Sequence, residues 1–392
     1  MTKIEWIEID NFRGISHLRY EPKQVNLLIG RNNSGKTSIL DAIYANLVGK
    51  YDTFDGLKEF CYYYNVKIGN DKAEITSNLH HNILYAPDAG LPDEITDEIH
   101  ELYYKSLKEI YDKYNLTPET FNNFYDLMMS HVQIIASKYD DKLVLYTDSD
   151  YELRRDAEFE KEYQKLMANI RPMQDEKMGR TFEYRIFSRI LIDTFGTSIR
   201  NYNWRNYPDN VILIDQNNKI SGLYGSDDDK FEERLIELTD IIKKYDIVPD
   251  LKQLMPSSVF YSDNDGNTYS IPLEMHGTGF SILLMLLYNL NKAKDGYLLI
   301  EEPENHLHPG YIRVFVEQLM KLSKKLNVQV FMTSHSYDLI NELSRYPMNK
   351  EEEDMIQITN IVHRDGEHEL YNHSPSDALN TIDKLMIDLR GT

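Results

Sequence analysis

Cysteine is almost missing from this chain: Cys61 is the only one in 392 residues. A single thiol excludes an internal disulfide framework and a cysteine-based zinc site, and fits a reducing compartment. Next to Tyr62, Tyr63 and Tyr64 it reads as buried filler rather than a reactive group. Basic charge is in deficit too, with 43 Lys and Arg against 64 Asp and Glu, a formal net charge of −21. Such a surface repels a polyanion over most of its area, so any nucleic-acid contact must be a local basic patch. No run approaches the ~18 apolar residues of a membrane span. The start MTKIEWIEIDNF carries acids where a secretory signal needs basic and then apolar residues. The expected location is therefore cytoplasmic, with no membrane partner. Internal repeats and low-complexity linkers are also lacking. What remains, 41% hydrophobic and 27% charged, is the make-up of a globular protein with one large or two ordinary domains.

The most informative stretch is Leu27–Asp41, LLIGRNNSGKTSILD. An apolar strand (Val25, Leu27, Leu28, Ile29) runs into Gly30-x-x-x-x-Gly35-Lys36-Thr37, and a helix starts at once with Ser38, Ile39 and Leu40. This is a P-loop in its proper setting, strand before and helix after. The glycines let consecutive backbone N–H groups face phosphates, Lys36 reaches the β- and γ-phosphates, and the Thr37 hydroxyl ligates Mg²⁺. Gly30, Asn32, Asn33, Ser34, Gly35, Lys36, Thr37 and Ser38 are the candidate nucleotide-binding positions, and ATP with Mg²⁺ is the expected cofactor pair.

In chain order, residues 3–10 alternate as a half-buried strand with a one-residue slip, and Asn11–Gly14 turns the chain into a second strand at 16–20. A helix over 37–47 follows the P-loop. Strand-like pieces at 63–68 and 72–78 and a loop at 86–92 come next. Helical spacing then recurs through Ile95, Ile99, Leu102, Leu107, Ile110 and Tyr114, and through Phe121, Phe124, Met128, Val132 and Ile135. A strand at 143–146 precedes helices over 152–169 and 182–195. The pattern predicts three parts: an N-terminal core segment 1–50, an inserted mainly helical lobe 51–205, and a C-terminal core segment 206–392. The insert's apolar stripes are too short and aromatic for a long coiled coil. In the last part, strands at 211–214, 258–262, 268–272, 297–300 and 328–332 alternate with helices at 231–245, 281–291 and 311–326. A strand pair at 356–370 and a helix at 378–389 close the chain. The fold class is α/β, a P-loop NTPase with a mixed, mainly parallel sheet.

Phosphoryl transfer to water needs a second hold on the metal, a base for the water and a γ-phosphate contact. Glu301 and Glu302 directly follow an apolar strand, where adjacent residues point to opposite sides. Glu301 is assigned to Mg²⁺ and Glu302 to the base. His335 ends the next strand, on the edge where open α/β sheets bind ligands, and is the candidate γ-phosphate contact. His306 and His308 lack a third ligand at metal spacing and read as structural. Gly277, Thr278 and Gly279 open a helix and can form an anion site from backbone N–H groups.

Taken in order, GRNNSGKT, HGTGF, LLIEEPENHLHP and TSHS resemble the ABC-type ATPases of the RecF, SMC and OLD (overcoming lysogenization defect) group, over roughly 1–50 and 205–392. The resemblance implies that Gly30–Thr37 is Walker A, Glu301-Glu302 Walker B with the catalytic glutamate, Gly277–Ser281 the signature and His335 the switch histidine. It implies Gln216 as the Q-loop glutamine and metal contact, and Arg13 as a residue near the phosphates. It also implies a homodimer or higher homo-oligomer joined through its ATP sites, because the signature serves the partner's nucleotide. Phe280-Ser281 stands where relatives often carry Gln or Arg-Gln, and the chain is expected to have no room for the Toprim nuclease that ends OLD proteins. The favoured reading is an ATPase sensor or regulator of a prokaryotic antiphage defence system, similar to the stand-alone ATPases of PARIS, Septu or Rlo/abortive-infection systems, controlling a separate nuclease or toxin effector. Arg180, Arg185 and Arg189 in the insert are its expected partner-recognition residues. The alternative is a RecF/SMC-like DNA-repair or chromosome-maintenance ATPase.

Overall fold

The computed structural model describes residues 2–48, 66–85, 97, 134–139, 142–147, 210–215, 230–244, 247–263, 265–305, 307–347, 349–364 and 366–384. It opens with an antiparallel pair, β1 (Ile7–Phe12) and β2 (Ile15–Tyr20). The first strand was expected over 3–10; it starts later, because Ile4 and Glu5 are claimed by side chains. Gln329 exchanges two hydrogen bonds with the Ile4 backbone, and Asn78 bonds the backbone of Glu5 and Lys3. Asn11 and Arg13 turn the pair with positive φ, 52° each. β3 (Val25–Ile29) is buried along its whole length, as a strand covered on both faces must be. The P-loop follows, then α1 (Lys36–Val48).

The chain divides into two compact units, one of residues 1–50, 75–80 and 207–392, the other of 51–74 and 81–206. β4 (Lys72–Ser77) contributes its last residues to the first unit. There Asn46 of α1 donates to the Ile75 and His80 carbonyls and accepts from the Ser77 hydroxyl. The second unit contains β5 (His81–Tyr85), β6 (Ile134–Tyr139) and β7 (Lys142–Thr147), an antiparallel run. β6 corrects the expectation of a helix reaching Ile135. Ile134 and Ile135 are β-branched and lie close in sequence to a strand-forming partner, so local pairing overrides the helical spacing. Val66 makes only a bridge within the expected strand 63–68. The remaining calls on the insert, the rest of its four helices apart from residue 97, its loop at 86–92, Cys61 and the three arginines among them, lie outside the described residues.

The first unit continues with β8 (Val211–Ile214), α2 (Phe231–Lys244), and a three-stranded antiparallel sheet of β9 (Leu251–Met255), β10 (Ser258–Ser262) and β11 (Thr268–Pro272). A 3₁₀ turn, Leu273–Met275, leads to α3 (Thr278–Lys292), which starts three residues before its expected origin. Then come β12 (Tyr297–Glu301), α4 (Pro309–Lys325), β13 (Gln329–Ser334), α5 (Tyr337–Arg345), α6 (Lys350–Asp354), β14 (Ile356–Arg364) and β15 (Glu367–His373). The closing helix, expected over 378–389, begins at α7 (Pro375–Leu379), because Ser374 and Asp377 form a capping box. It passes into a π turn at Asn380–Lys384.

The central sheet has the order β15-β14-β3-β13-β12-β8, parallel throughout except for β15. α1 packs under β13, β12 and β8, while α3 is buried nearly all round and packs on α2 and α4. Gly296, just before β12, has no room for a side chain: a Cβ there would come 2.1 Å from the Asn210 carbonyl oxygen. No described helix is long and apolar enough to cross a membrane.

Asn26 is the polar residue buried in the middle of β3, fully inaccessible. It accepts from Tyr20 Oη (3.1 Å) and the Lys23 amide (2.7 Å) and donates to the Lys23 and Val330 carbonyls. Asn26→Leu keeps the branched skeleton and orphans these partners, so urea unfolding is expected to show a loss of about 2–3 kcal/mol. A change under about 0.5 kcal/mol would mean the network adds nothing to stability.

Candidate active site

Three parallel strands end level, and this brings the site together. Ile29 pairs with Ser334, Leu28 with Thr333, and Thr333 with Glu301. Gly30, His335 and Glu302 therefore leave the sheet side by side, at the carboxyl edge where such sheets bind ligands. Backbone geometry then shapes the loop. Gly30 has φ 150°, Asn33 63° and Gly35 95°, and a Cβ at Gly30 would come 2.5 Å from the Ile361 carbonyl oxygen. Glycine is required at both ends of the loop, by conformation at Gly35 and by space at Gly30. Ser34 is buried, and its hydroxyl has no hydrogen-bond partner. Thr37 is exposed and Ser38 half-buried at the start of α1, whose first turn carries no acid to offset the positive helix end.

Lys36 is 6% exposed and donates to the carbonyls of Gly30 (3.0 Å) and Arg31 (2.8 Å). Burial lowers its amine to about 8, against a smaller upward pull from the Glu302 carboxylate. Glu302 sits in the left-handed region, φ 44°, which is costly for a residue with a Cβ and marks a functional constraint. Its amide donates to the Thr333 carbonyl (3.0 Å). One carboxylate oxygen accepts from Asn305 Nδ2 (2.6 Å), and the other lies 3.6 Å from His335 Nε2. Glu304 holds the histidine from behind, accepting from the Ser334 hydroxyl and the His335 amide. His308 caps α4, its Nδ1 accepting from the Gly310 amide, while His306 is outside the described residues.

Glu301 faces a different group. Together with the buried Asp215 it raises the Asp41 carboxyl, which burial chiefly pushes up to about 6 while Arg13 pulls it down. Arg13 is ion-paired to Asp41. The structure thus ties Arg13 to the acidic side of the site through α1. Gln216 lies outside the described residues. Among the described residues no three His, Cys, Asp or Glu side chains are set to hold a metal by themselves. A hydroxyl and one carboxylate, with phosphate oxygens completing the shell, is instead the donor set that Mg²⁺ takes, and Thr37 with Glu301 fits it.

Gly277, the N-cap of α3, and Thr278 are exposed, and no side chain caps that helix. His276 orders the turn, bonding Tyr261 Oη (2.8 Å) and stacking on Phe280. No hydrogen bond or ion pair joins Gly277, Thr278 or Gly279 to the P-loop among the described residues. Sequence reasoning passed over Asn305, Glu304 and Asp41. The first two carried a readable signal, polar residues within a turn fixed by Pro303. Asp41 was visible as an acid among Ile39, Leu40, Ala42 and Ile43.

The AAA ATPase domain family matches residues 2–340. Endonuclease GajA of Bacillus cereus HuB5-5 is 21% identical over 87% of this chain, which spans 56% of that protein's length. The DNA replication and repair protein RecF of Clostridioides difficile 630 is 24% identical over 91% of this chain and 99% of its own. An SMC head bound to the C-winged helix domain of ScpA aligns over 96% of this chain and all of its own, at 13% identity and TM-score 0.46.

A Lys36 amine near 8 has a pH consequence of definite sign. Bound phosphates return the amine to its charged form, so nucleotide binding takes up a proton once the free amine begins to lose its own. ATP affinity is expected to fall as pH rises from about 8 to 9.5, and proton uptake at pH 8 to appear in calorimetry as a dependence of binding heat on the buffer's ionisation enthalpy. A flat affinity across that window, or proton release, would contradict the buried amine.

Proposed function

The chain belongs to the AAA ATPase domain family and is an ABC-type ATPase of the RecF/SMC/OLD-like group, and from that premise we propose that it is the ATP-driven regulator of a prokaryotic antiphage defence system, controlling a separately encoded nuclease or toxin. The convergence of Lys36, Glu302 and His335 at one strand edge carries the hydrolytic part. Glu302 takes the proton of the attacking water, with Asn305 holding its second oxygen and leaving the first toward His335. Lys36 and His335 contact the terminal phosphates. Thr37 and Glu301, with Gln216, would hold Mg²⁺, which would supply charge neutralisation to the phosphates.

The regulatory part is supported by likeness to a protein named an endonuclease, of which this chain spans 56%. The uncapped α3 end supports assembly: Gly277–Gly279 of one chain closes on the ATP of another, so that ATP becomes interface and hydrolysis loosens it. Residues 51–205 then serve as partner-recognition surface, through Arg180, Arg185 and Arg189. A second reading, DNA repair, is favoured by the alignment with RecF over nearly its full length. Stimulation of ATP hydrolysis by DNA would support that reading; an effector protein with the same effect would support the first.

Glu302→Gln is expected to bind ATP like the parent and to hydrolyse it at least about a hundredfold more slowly, because only the base is lost. In light scattering it should form an ATP-dependent dimer, which Gly279→Asp abolishes by setting a carboxylate against the partner's phosphates. Lys36→Ala should instead lose ATP affinity. Equal loss of ATP affinity in Glu302→Gln and Lys36→Ala, or association indifferent to ATP, would overturn these roles.

A further inference from the structure

β14 lies parallel to β3 and outruns it. Asn360 pairs with Ile29, the last residue of β3, and β14 continues through Arg364 before β15 returns from Glu367. The hairpin end therefore stands beyond the sheet edge, alongside the P-loop rather than under it. Ile361 is level with Gly30, as the 2.5 Å approach of its carbonyl oxygen to a Cβ there requires. Two residues further on, His363 pairs across the hairpin with His368, and their rings stack with centroids 4.5 Å apart at 25°. His368 is the inner member: its Nε2 would be 2.8 Å from a Cβ at Gly35. His363 is exposed. The hairpin tip is fixed on its other side, where the Ser16 hydroxyl donates to the Gly366 carbonyl at the start of β2, close after the Arg13-Gly14 turn.

An aromatic, hydrogen-bonding pair thus stands between the last glycine of the P-loop and the turn joining β1 to β2. A nucleotide whose terminal phosphate faces Glu302 and His335, at the ends of β12 and β13, extends its ribose and base to the other side of the P-loop strand, the side of the β14–β15 hairpin. Histidine suits such a wall, since its ring offers a flat face to a base and its nitrogens bond ribose hydroxyls. The chain places both histidines here in directly opposed cross-strand positions. We propose that His363 and His368 form the nucleoside subsite of the bound ATP: His368 contacts the ribose beside Gly35, and the outward face of His363 stacks on the base. The proposal rests on the P-loop reading of Gly30–Ser38.

The test separates the nucleoside from its phosphates. Binding of Mg-ATP and of Mg-tripolyphosphate, which has no base or sugar, is measured by calorimetry for the parent, His363→Ala, His363→Phe, His368→Ala and Lys36→Ala. His363→Ala and His368→Ala are expected to lose about tenfold in ATP affinity while tripolyphosphate affinity stays within about twofold, as loss of a base-stacking or sugar contact predicts. His363→Phe, which keeps a flat face, should keep ATP affinity. Unchanged tripolyphosphate binding also certifies a folded P-loop in each variant. Parallel losses of both ligands, or ATP affinity unchanged in both alanine variants, would overturn the subsite; a His363→Phe loss as large as that of His363→Ala would overturn the stacking role. Lys36→Ala distinguishes failure of the underlying reading: if it binds both ligands like the parent, the phosphates do not sit on this loop.

Discussion

The register of β3 between β13 and β14 is the constraint from which the rest follows. Because Ile29 is level with both Ser334 and Asn360, three chains leave the sheet at one height: the P-loop, the His335 segment and the rising β14 hairpin. A slip of one residue would exchange the two buried faces of β3, sending Asn26 to the wrong side, and move Gly30 off the Ile361 carbonyl it must clear. Asn26 and Gln329 guard against that slip. Each is buried in its strand and bonded to backbone of a neighbouring segment, a match that exists in only one register. Buried polar groups of this kind are costly when unpaired, so they specify alignment more than they add stability.

Chemistry is concentrated where the fold departs from its local preferences. Glu302 adopts a left-handed backbone immediately after the regular strand β12, and the departure turns its carboxylate toward Lys36 and His335 while Glu301 stays with Asp41 and Asp215. A strand continued for one more residue would have separated the two glutamates in the same way but aimed neither at the histidine with Asn305 at its back. The surroundings hold the strained residue through the Thr333 carbonyl, Asn305 and Pro303. Such over-determination fixes the carboxylate in advance, as the base role proposed for it requires.

The sheet, its helices and the P-loop were legible because each element announces itself locally. β3, β12 and β13 each contain a short apolar run (Leu27–Ile29, Tyr297–Ile300 and Val330–Met332), Gly35 is demanded by its φ of 95°, and α3 and α4 have one-sided or continuous apolar faces. Boundaries failed where a distant side chain decided them, as when Gln329 takes the backbone of Ile4. β6 failed because Ile134 and Ile135 fit a helical stripe and a strand equally, and only the pairing with β7 decides between them. Site residues that act through a partner were the least visible. Asn305 shows in the sequence as a polar turn residue, but its part in the site is apparent only once Glu302 has turned to meet it, and that of His363 and His368 only once the hairpin has been registered against Gly35.

Electrostatics bears on the proposal that nucleotide joins two copies of this chain. At −21 per chain, two copies repel wherever their surfaces are not locally compensated, and at physiological salt only charges within about 8 Å escape screening. The first unit gathers cationic character where phosphates would lie: Lys36 buried in the loop, the acid-free start of α1, and Arg364 on the overhanging hairpin. The start of α3, a fifteen-residue helix, offers the same in miniature, an exposed helix end with no acid in its first turn. A polyanion between two such positive points converts repulsion into attraction over a distance shorter than the screening length. An acidic surface elsewhere makes that attraction conditional, since removing the γ-phosphate takes away the charge opposite the helix end while the background repulsion stays.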